Sequence, residues 1–474
     1  MPTRYESRDV DPTPLGEPLP FPFSTIVAPN RFLKAAMTER MATWDPDDMK
    51  ASGIPTQRLY DLYGHWGDGG WGTIVTGNII IDTTHLEAPG NMILASNEPP
   101  SGPRFEAYQR LAQAGKRGGS IFLAQLNHPG RQTEFSLQEN PVSASDVQLT
   151  KGYGATFHYG KPHAASLTEI RDITSAFVNA AVYLEKAGFD GIQLHAAHGY
   201  LLAQFLSPTT NLRTDAYGGP LINRARIITE IASGIRASTS KNFALVIKIN
   251  SVEFQDSGFG PQDAAQLMGI LEAAKFDAVE LSGGTYEAPA WHHRKESTRR
   301  REAFFIEFAE LAAPYKGRSL CFLTGGMRTV GGMVDALLTS SDKGKDGKSK
   351  GAVDGVGIGR PSATESSLPR EMLLHGRKGC IKPLVGDTNV LGDSWGYGAS
   401  LAGAHMRQLS FNQQPFDPSD RVAIDAFLKG FEKWVAALPK RSKREVLDHI
   451  IIESESMVVK PYKAESETVG PPAA

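Results

Sequence analysis

The chain has 474 residues, of which 41% are hydrophobic and 22% are charged. This composition provides enough apolar material for a large core of one or two domains. The 50 basic and 52 acidic residues are mixed along the chain and give a formal net charge of −2, which predicts neither a nucleic-acid-binding patch nor a basic membrane-binding cluster. We therefore expect small molecules as partners.

The cysteine content and the chain ends indicate the compartment. Cys321 and Cys380 are the two cysteines of the chain, too few for a disulfide framework or for four cysteine ligands to a metal or iron–sulfur site. The N-terminal sequence MPTRYESRDVDPTPLGEP lacks the apolar core of a signal peptide, and no run of about 18 apolar residues could span a membrane. These features predict a cytoplasmic protein with no membrane partner.

Eight short apolar runs, rich in β-branched residues, predict eight strands. In chain order they are 32–36, 72–78, 120–128, 191–198, 243–250, 278–284, 320–326 and 355–361. Most of them are followed by helix-like sequence, which favours a parallel sheet covered by helices. Eight such units predict an α/β fold, a closed (β/α)8 TIM barrel. A doubly wound open sheet is the alternative, but no GxGxxG turn follows an early strand.

Two regions depart from the strand–helix repeat. Residues 131–167 form a long polar connection before a predicted helix over 167–189, and residues 418–438 form an amphipathic helix in a C-terminal region without further repeats. This C-terminal region could pack on the barrel, cover it as a lid or join a homo-oligomer. The predicted organisation is an N-terminal arm over 1–20, the barrel over 21–380 and a long C-terminal extension over 381–474.

Chemically active residues and glycines follow the predicted strands and should meet at one rim of the barrel. The glycine turns after the last two strands can bind a phosphate through backbone N–H groups, with Arg360 as a charged partner, although such turns can also be purely structural. Lys248 lies inside an apolar strand and requires an anionic or electron-rich partner, either a ligand or a structural salt bridge. The candidate rim residues are Ala36, Met37, Thr38, Gly77, Gln125, His195, His198, Tyr200, Lys248, Gly325, Gly326, Gly359 and Arg360.

His195 and His198 allow three interpretations. As metal ligands they lack a nearby acidic residue or cysteine, and HAAH does not match the HExxH pattern. No metal is therefore predicted. As core histidines each would need hydrogen-bond partners of its own. As paired donors to one carbonyl or phenolate oxygen they would stabilise developing negative charge. Tyr200, which has a proton to donate, favours the third interpretation.

The segment HAAHGYLLAQFLSPTTNLRTDAYGG, followed by NRARI at 223–227, resembles the signature of the old yellow enzyme family. KAAMTERM (34–41), AQLNHPGRQ (124–132), FLTGGMRT (322–329) and GIGRP (357–361) occur in the order expected for that family. The resemblance covers roughly residues 20 to 375. It implies a (β/α)8 barrel that binds flavin mononucleotide (FMN) non-covalently, takes hydride from NADPH or NADH and reduces activated C=C bonds.

The resemblance also implies a role for each rim residue. Gln125 and Lys248 would contact the flavin pyrimidine ring, Thr38 its C4 carbonyl edge, and Ala36, Met37 and Gly77 would line the flavin. Tyr200 would protonate the substrate, while His195 and His198 would bind its electron-withdrawing group. The flavin phosphate would be held by Gly325, Gly326, Gly359 and Arg360.

Several departures from familiar members limit what the resemblance implies. Lys248 stands where arginine is more usual, Ala36 replaces a common proline, and Asn127 and Arg40 replace residues that shape the substrate pocket in other members. The resemblance therefore does not predict the size of the substrate. A flavin oxidase, demethylase or isomerase of a biosynthetic pathway, or a flavin-binding barrel without catalysis, remains an alternative to an enzyme that reduces α,β-unsaturated carbonyl or nitro compounds.

Overall fold

The computed structural model describes residues 1–150, 158–250, 258–282, 315, 317–338, 353–386, 396–440, 445–446, 448–452 and 461–462. Within these ranges, each of the eight predicted strands is present. The strands are β1 Phe32–Lys34, β2 Thr73–Ile80, β3 Ile121–Asn127, β4 Gly191–Ala196, β5 Ala244–Asn250, β6 Ala278–Ser282, β7 Leu320–Thr324 and β8 Gly355–Ile358.

The eight strands form a closed parallel barrel. Each strand pairs with the next one along the chain, and β1 pairs with both β2 and β8, so that Lys34 lies opposite Ile74 on one side and Ile358 on the other. Met92–Ile93 adds a short parallel strand at the end of β2. Closure of the sheet confirms the TIM barrel and rules out the open-sheet alternative.

Helices surround the barrel, as expected for strands whose two faces are both buried. Four short helical segments and a few short strands lie outside the main elements: helices Thr13–Gly16, Gly130–Gln132, Leu221–Arg224 and Pro361–Thr364, the antiparallel pair Leu19–Pro20 and Val27–Ala28, and the parallel pair Val142–Ser143 and His163–Ala164. The main described helices are α1 Gln57–Gly67, α2 Gly102–Gly115, α3 Leu167–Lys186, α4 Leu201–Leu206, α5 Arg226–Ser238, α6 Pro261–Ala273, α7 Val330–Leu338, α8 Leu368–Leu374, α9 Tyr397–Ser410 and α10 Arg421–Ala437, the last continued by Leu438–Lys440.

The helix predicted over 167–189 is α3, and local signals account for both of its ends. Ser166 accepts a hydrogen bond from the Glu169 N–H, and the Glu169 side chain accepts one from the Ser166 N–H, which forms a capping box. Helix α3 ends at Lys186, and Gly188 adopts a φ of 93° just beyond it. This left-handed conformation at the C-terminal end is favourable for glycine, so the helix stops three residues before the predicted end.

Alternation along the strands separates the barrel interior from the layer between strands and helices. Leu33, Val75, Leu123, Val246 and Phe322 belong to one buried inner cluster, while the residues next to them along the strands pack against the helices. Continuing the same alternation toward the carboxyl ends of the strands places polar side chains inside the barrel. An apolar floor therefore lies beneath a polar upper layer.

Strand β2 contains a bulge at the level of this polar layer. Val75 is opposite Leu123 and Asn78 is opposite Gln125, so β2 has one more residue than β3 between these pairs. The Thr76 hydroxyl accepts a hydrogen bond from the Gln125 N–H at 3.0 Å. A bulge of this kind redirects side chains and leaves a backbone group outside the regular ladder. Here the bulge changes the direction of the Gly77 backbone and of the Asn78 side chain.

The described part of the C-terminal extension packs on the barrel. Helix α9 lies against α1. Helices α9 and α10 share a small apolar core with residues before, between and after them; this core contains Val385, Leu401, Ala404, Phe416, Ala423, Ile424, Phe427 and Ile450. The amphipathic helix predicted over 418–438 is α10. No helix in the described residues is long and apolar enough to cross a membrane. The boundaries predicted for the arm, barrel and extension remain predictions.

Candidate active site

A chain of polar side chains crosses the barrel interior above the apolar floor. The Gln125 Nε2 donates to Gln193 Oε1 at 2.7 Å, and the Gln193 Nε2 donates to Glu280 Oε2 at 2.7 Å. Lys248 Nζ lies 2.9 Å from Glu280 Oε1, and both side chains are buried. This chain fixes the Gln125 amide and balances the buried charge of Lys248, so the structural salt bridge considered for Lys248 is present.

Lys248 also stands directly beside the histidine pair. The strand register places it opposite His195 on β4 and Glu280 on β6. Because the side chains of paired residues in neighbouring strands project from the same face, His195 shares the inner surface with Lys248. The ammonium is thus held by the Glu280 carboxylate on one side, and His195 is its strand neighbour on the other.

His195, His198 and Tyr200 form one compact group at the carboxyl end of β4. The ring centroids of His195 and His198 are 5.1 Å apart, and those of His195 and Tyr200 are 4.7 Å apart. His198 and Gly199 have φ values of 58° and 78°. These two successive left-handed residues form the turn expected at Gly199 and return the chain so that Tyr200 lies over His195.

Both histidines are neutral at ordinary pH. Burial lowers the pKa of His198 to about 3, and the charge of Lys248 acts in the same direction. Burial, followed by His198 and Lys248, holds the pKa of His195 well below its usual range. His195 Nδ1 accepts the Ala197 N–H at 3.3 Å, which leaves the proton on Nε2. His195 is therefore a neutral N–H donor and can bind a carbonyl oxygen through Nε2.

Four inward-facing polar residues at the strand ends have hydrogen-bonding atoms that no other described residue satisfies. They are Asn78, through Oδ1; Asn127, through both side-chain atoms; Asn250, through Nδ2; and Thr324, through Oγ1. All but Thr324 are nearly inaccessible to solvent, and buried polar atoms without partners are costly. The unpaired atoms therefore indicate a polar ligand above the barrel floor.

The residues predicted to line the flavin from the first two strands come together in the structure. The Asn78 Nδ2 donates to the Thr38 hydroxyl at 3.3 Å. A Cβ atom at Gly77 would lie 2.4 Å from the Met37 carbonyl oxygen and closer still to the Glu39 carboxylate. Only glycine fits at this bulge. Ala36 packs against the inner apolar cluster directly below.

The predicted phosphate residues follow two paired strands. Gly325 and Gly326 come directly after β7 with φ values of 126° and 77°, and Gly359 and Arg360 come directly after β8. Strand pairing of β7 with β8 brings the two turns to the same part of the rim. The Arg360 Nη1 donates to the Gly386 carbonyl at 3.3 Å, so the extension helps to hold the guanidinium.

Asp82, His85 and His128 form the one cluster of possible metal ligands among the described residues. His85 accepts the Val142 N–H at Nε2, and His128 accepts the Gly130 N–H at Nδ1. Each imidazole therefore carries its proton on the other nitrogen, which faces Asp82 Oδ2 at 2.9 Å and 3.3 Å. A metal bound beside Asp82 would move each ring proton to the nitrogen that now accepts a backbone N–H, so the Val142 and Gly130 N–H groups would both lose their acceptors. The trio is a hydrogen-bonded structural unit.

Several site residues were missing from the predicted set. Gln193 and Glu280 interrupt the apolar runs GIQL and AVEL, as Lys248 interrupts its own strand, and the same reasoning from buried polarity would have found them. Asn250 lies at the end of the fifth predicted strand and binds the His198 N–H through Oδ1 at 3.1 Å. No local signal indicated that Glu39 and Tyr63 would contact Gly77.

Comparison with known proteins agrees with this geometry. The sequence model of the NADH:flavin oxidoreductase / NADH oxidase family matches residues 15–372. The chain is 44% identical to the NADH-dependent flavin oxidoreductase nadA of Aspergillus parasiticus over 93% of this chain and 94% of that protein. It is 32% identical to the NADH-dependent flavin oxidoreductase iliE of Hypocrea jecorina over 74% of this chain and 86% of that protein. Morphinone reductase in complex with tetrahydroNAD superposes with a TM-score of 0.60 at 20% identity, over 81% of this chain and 96% of that one.

The barrel and its polar upper layer thus define a flavin-dependent oxidoreductase. The chain belongs to the NADH:flavin oxidoreductase / NADH oxidase family, which is the old yellow enzyme family, and FMN is its cofactor. The structure fits this cofactor, because unpaired amide and hydroxyl groups, a fixed glutamine amide and a buried ammonium meet at one layer. A flavin pyrimidine ring presents carbonyl and N–H groups that such a set can bind.

If His195 and His198 bind one ligand oxygen, replacing either with Ala should weaken the binding of a simple phenol by about ten- to a hundredfold, since a hydrogen bond to a charged oxygen contributes about 1.5–3 kcal/mol. Phenol binding to the oxidised protein should produce a long-wavelength absorbance band that can be titrated. Because both imidazoles are neutral, no step attributable to histidine should occur between pH 5 and 8.

A matched control is His375→Ala, which removes an exposed histidine after α8 and should leave phenol binding unchanged. A chelator should also leave phenol binding unchanged. Loss of binding on chelation would instead support the metal interpretation of the pair.

Proposed function

We propose that the protein is an ene-reductase that uses a nicotinamide to reduce the activated C=C bond of α,β-unsaturated carbonyl or nitro compounds. The observation that carries the proposal is the group of His195, His198 and Tyr200, in which two neutral imidazoles stand beside a phenol. A substrate oxygen bound by the two histidines would lie within the same pocket as a proton donor. A protein that only binds a ligand has no need of that acid.

In this proposal the residues have separate tasks. FMN, when bound, would supply the hydride chemistry between the nicotinamide and the substrate. His195 and His198 donate to the substrate oxygen, and their hydrogen bonds strengthen as negative charge develops on it. Tyr200 donates a proton to the carbon next to the activating group. Lys248, Gln125 and Thr38 bind the pyrimidine side of the cofactor, with Ala36, Met37 and Gly77 against the ring.

The related proteins support NADH as the reductant, because the two fungal relatives described above are named NADH-dependent. A cytosolic location is supported by the two cysteines, which are buried and not joined in a disulfide. An oxidase, demethylase or isomerase would use the same rim, and the experiment below distinguishes these reactions.

The test is a turnover experiment without oxygen. NADH or NADPH should bleach the visible absorbance of the purified protein, and 2-cyclohexenone or a nitroalkene should restore it with formation of the saturated product. Return of the absorbance with oxygen but with none of a panel of enones and nitroalkenes would identify an oxidase instead. Double-bond migration without consumption of nicotinamide would identify an isomerase.

A further inference from the structure

The loop after β1 is held from both sides, and one side is the C-terminal extension. Arg40 adopts a φ of 56°, which is unfavourable for a residue other than glycine. Its guanidinium pairs with Glu87 at 2.6 Å, and the Ala42 N–H donates to the Gly90 carbonyl at 3.0 Å. On the other side, His449 Nε2 donates to the Glu39 carbonyl oxygen at 2.7 Å.

The Glu39 side chain connects this loop to the bulge of β2. Its Oε1 accepts the Gly77 N–H at 2.9 Å and also accepts the Tyr63 hydroxyl. Gly77 is the bulge residue whose N–H leaves the ladder, so this carboxylate supplies the missing acceptor. Burial raises the pKa of Glu39, and the buried ammonium of Lys34 opposes that shift. Glu39 thereby joins the loop, α1 and the bulge.

Helix α9 of the extension leaves space for the ring of His449. Gly403 lies in the middle of α9, where glycine is less favourable for a helix than alanine. A Cβ atom there would lie 2.3 Å from His449 Nδ1, so the glycine allows the ring to pack against the helix. Burial lowers the pKa of His449 to about 4, and nearby Arg40 acts in the same direction. The ring is therefore neutral and carries its proton on the nitrogen that faces Glu39.

The residues on either side anchor His449 in place. Asp448 pairs with Arg58 of α1 at 3.2 Å and with Arg407 of α9 at 3.3 Å. The Trp434 Nε1 of α10 donates to the Asp448 carbonyl at 3.0 Å. Ile450 is buried in the small core of the extension. A segment fixed at both neighbours can hold a strained loop at a defined position.

We propose that the C-terminal extension contributes to flavin binding. His449 is the positioning residue through which the extension holds the loop that carries Thr38. The proposal rests on the assignment of Thr38 and Gly77 to the flavin. His449 touches neither cofactor nor substrate. It fixes the Glu39 carbonyl, while the Glu39 carboxylate fixes the bulge at Gly77.

The test compares FMN dissociation constants of the apoproteins and midpoint potentials of the bound flavin in full-length variants. His449→Phe keeps the bulk of the ring and removes the donor, so FMN should bind about tenfold more weakly, as for one lost hydrogen bond, and the midpoint potential should shift. His449→Gln retains an N–H donor and should recover most of the affinity and the potential. Gly403→Ala should reproduce the effect of His449→Phe, because its added methyl group displaces the ring.

Tyr462→Phe is the matched control. It removes another hydrogen bond from the extension to the barrel, between the Tyr462 and Ser366 hydroxyls at 2.8 Å, and should leave FMN affinity and potential at the parent values. Parent-like FMN binding and potential in His449→Phe would overturn the proposal, as would an equal loss in Tyr462→Phe. If His449→Phe does not fold, the same two readouts in Gly403→Ala decide. These readouts need no enone, so failure of the proposed reaction would leave this test intact.

Discussion

Replacing Tyr200 with Phe should leave the bleaching of the flavin absorbance by NADH nearly unchanged and slow its return on addition of an enone by about 10²–10⁴-fold, the usual contribution of a positioned general acid. The substitution retains the ring that packs against His195 at a centroid distance of 4.7 Å and removes only the proton. Hydride transfer from the nicotinamide requires no proton from this residue. Rapid mixing without oxygen measures the two steps separately.

Two outcomes would contradict the role of Tyr200. An undiminished enone step would exclude it as the proton donor, and an equal loss in both steps would show that the variant had disturbed the pocket. Return of the absorbance with oxygen provides the internal control, because oxygen needs no proton delivered to carbon. Tyr397→Phe, in α9 of the extension, is a matched substitution that should leave both steps unchanged.

Replacing Arg360 with Ala should weaken FMN binding by about ten- to a hundredfold, since a hydrogen bond between a guanidinium and a phosphate contributes about 1.5–3 kcal/mol. Arg360 directly follows Gly359 at the end of β8, the strand that pairs with β7, and its guanidinium donates to the Gly386 carbonyl. A Cβ atom at Gly398 would lie 2.2 Å from Arg360 Nη1, so the extension leaves just enough space for this side chain. Flavin released during dialysis and the dissociation constant of the apoprotein measure the effect.

Arg421→Ala is the control for charge, because Arg421 is exposed on α10 and pairs only with the nearby Asp425 among the interactions described for it. It should retain FMN as the parent does. Arg360→Lys should bind with intermediate affinity, since a lysine keeps the charge and loses the planar pair of donors. Full retention of FMN by Arg360→Ala would refute the assignment of the phosphate to this turn.

The barrel could be predicted because its pattern is local. A parallel strand buried on both faces needs a continuous apolar run, and each of the eight runs contains an observed strand within a few residues of the predicted bounds. The rim could be predicted for a related reason, since the carboxyl ends of all barrel strands meet on one side. The strand ends therefore predict that His195, Lys248 and Gln125 are neighbours.

Contacts between residues far apart in the chain could not be predicted from the periodicity of the sequence. Glu280 could be identified as a buried polar residue from the sequence. Which residue neutralises the charge of Lys248, however, depends on the register of β5 against β6. The same holds for the cluster of Asp82, His85 and His128, where the sequence spacing leaves open whether the imidazoles bind a metal. Backbone N–H groups from Val142 and Gly130 settle their tautomers.

Residue type and periodicity alone thus predict the barrel, the polar layer at its upper end and the position of Tyr200 beside the histidine pair. The place of the C-terminal extension was decided by tertiary packing, because an amphipathic helix specifies an apolar face and leaves its partner open. His449 reaches Glu39 across 410 positions of sequence, a separation for which no periodicity carries information. Only the folded chain, in which Gly403 makes room for that imidazole, shows that the extension and the loop after β1 form one unit.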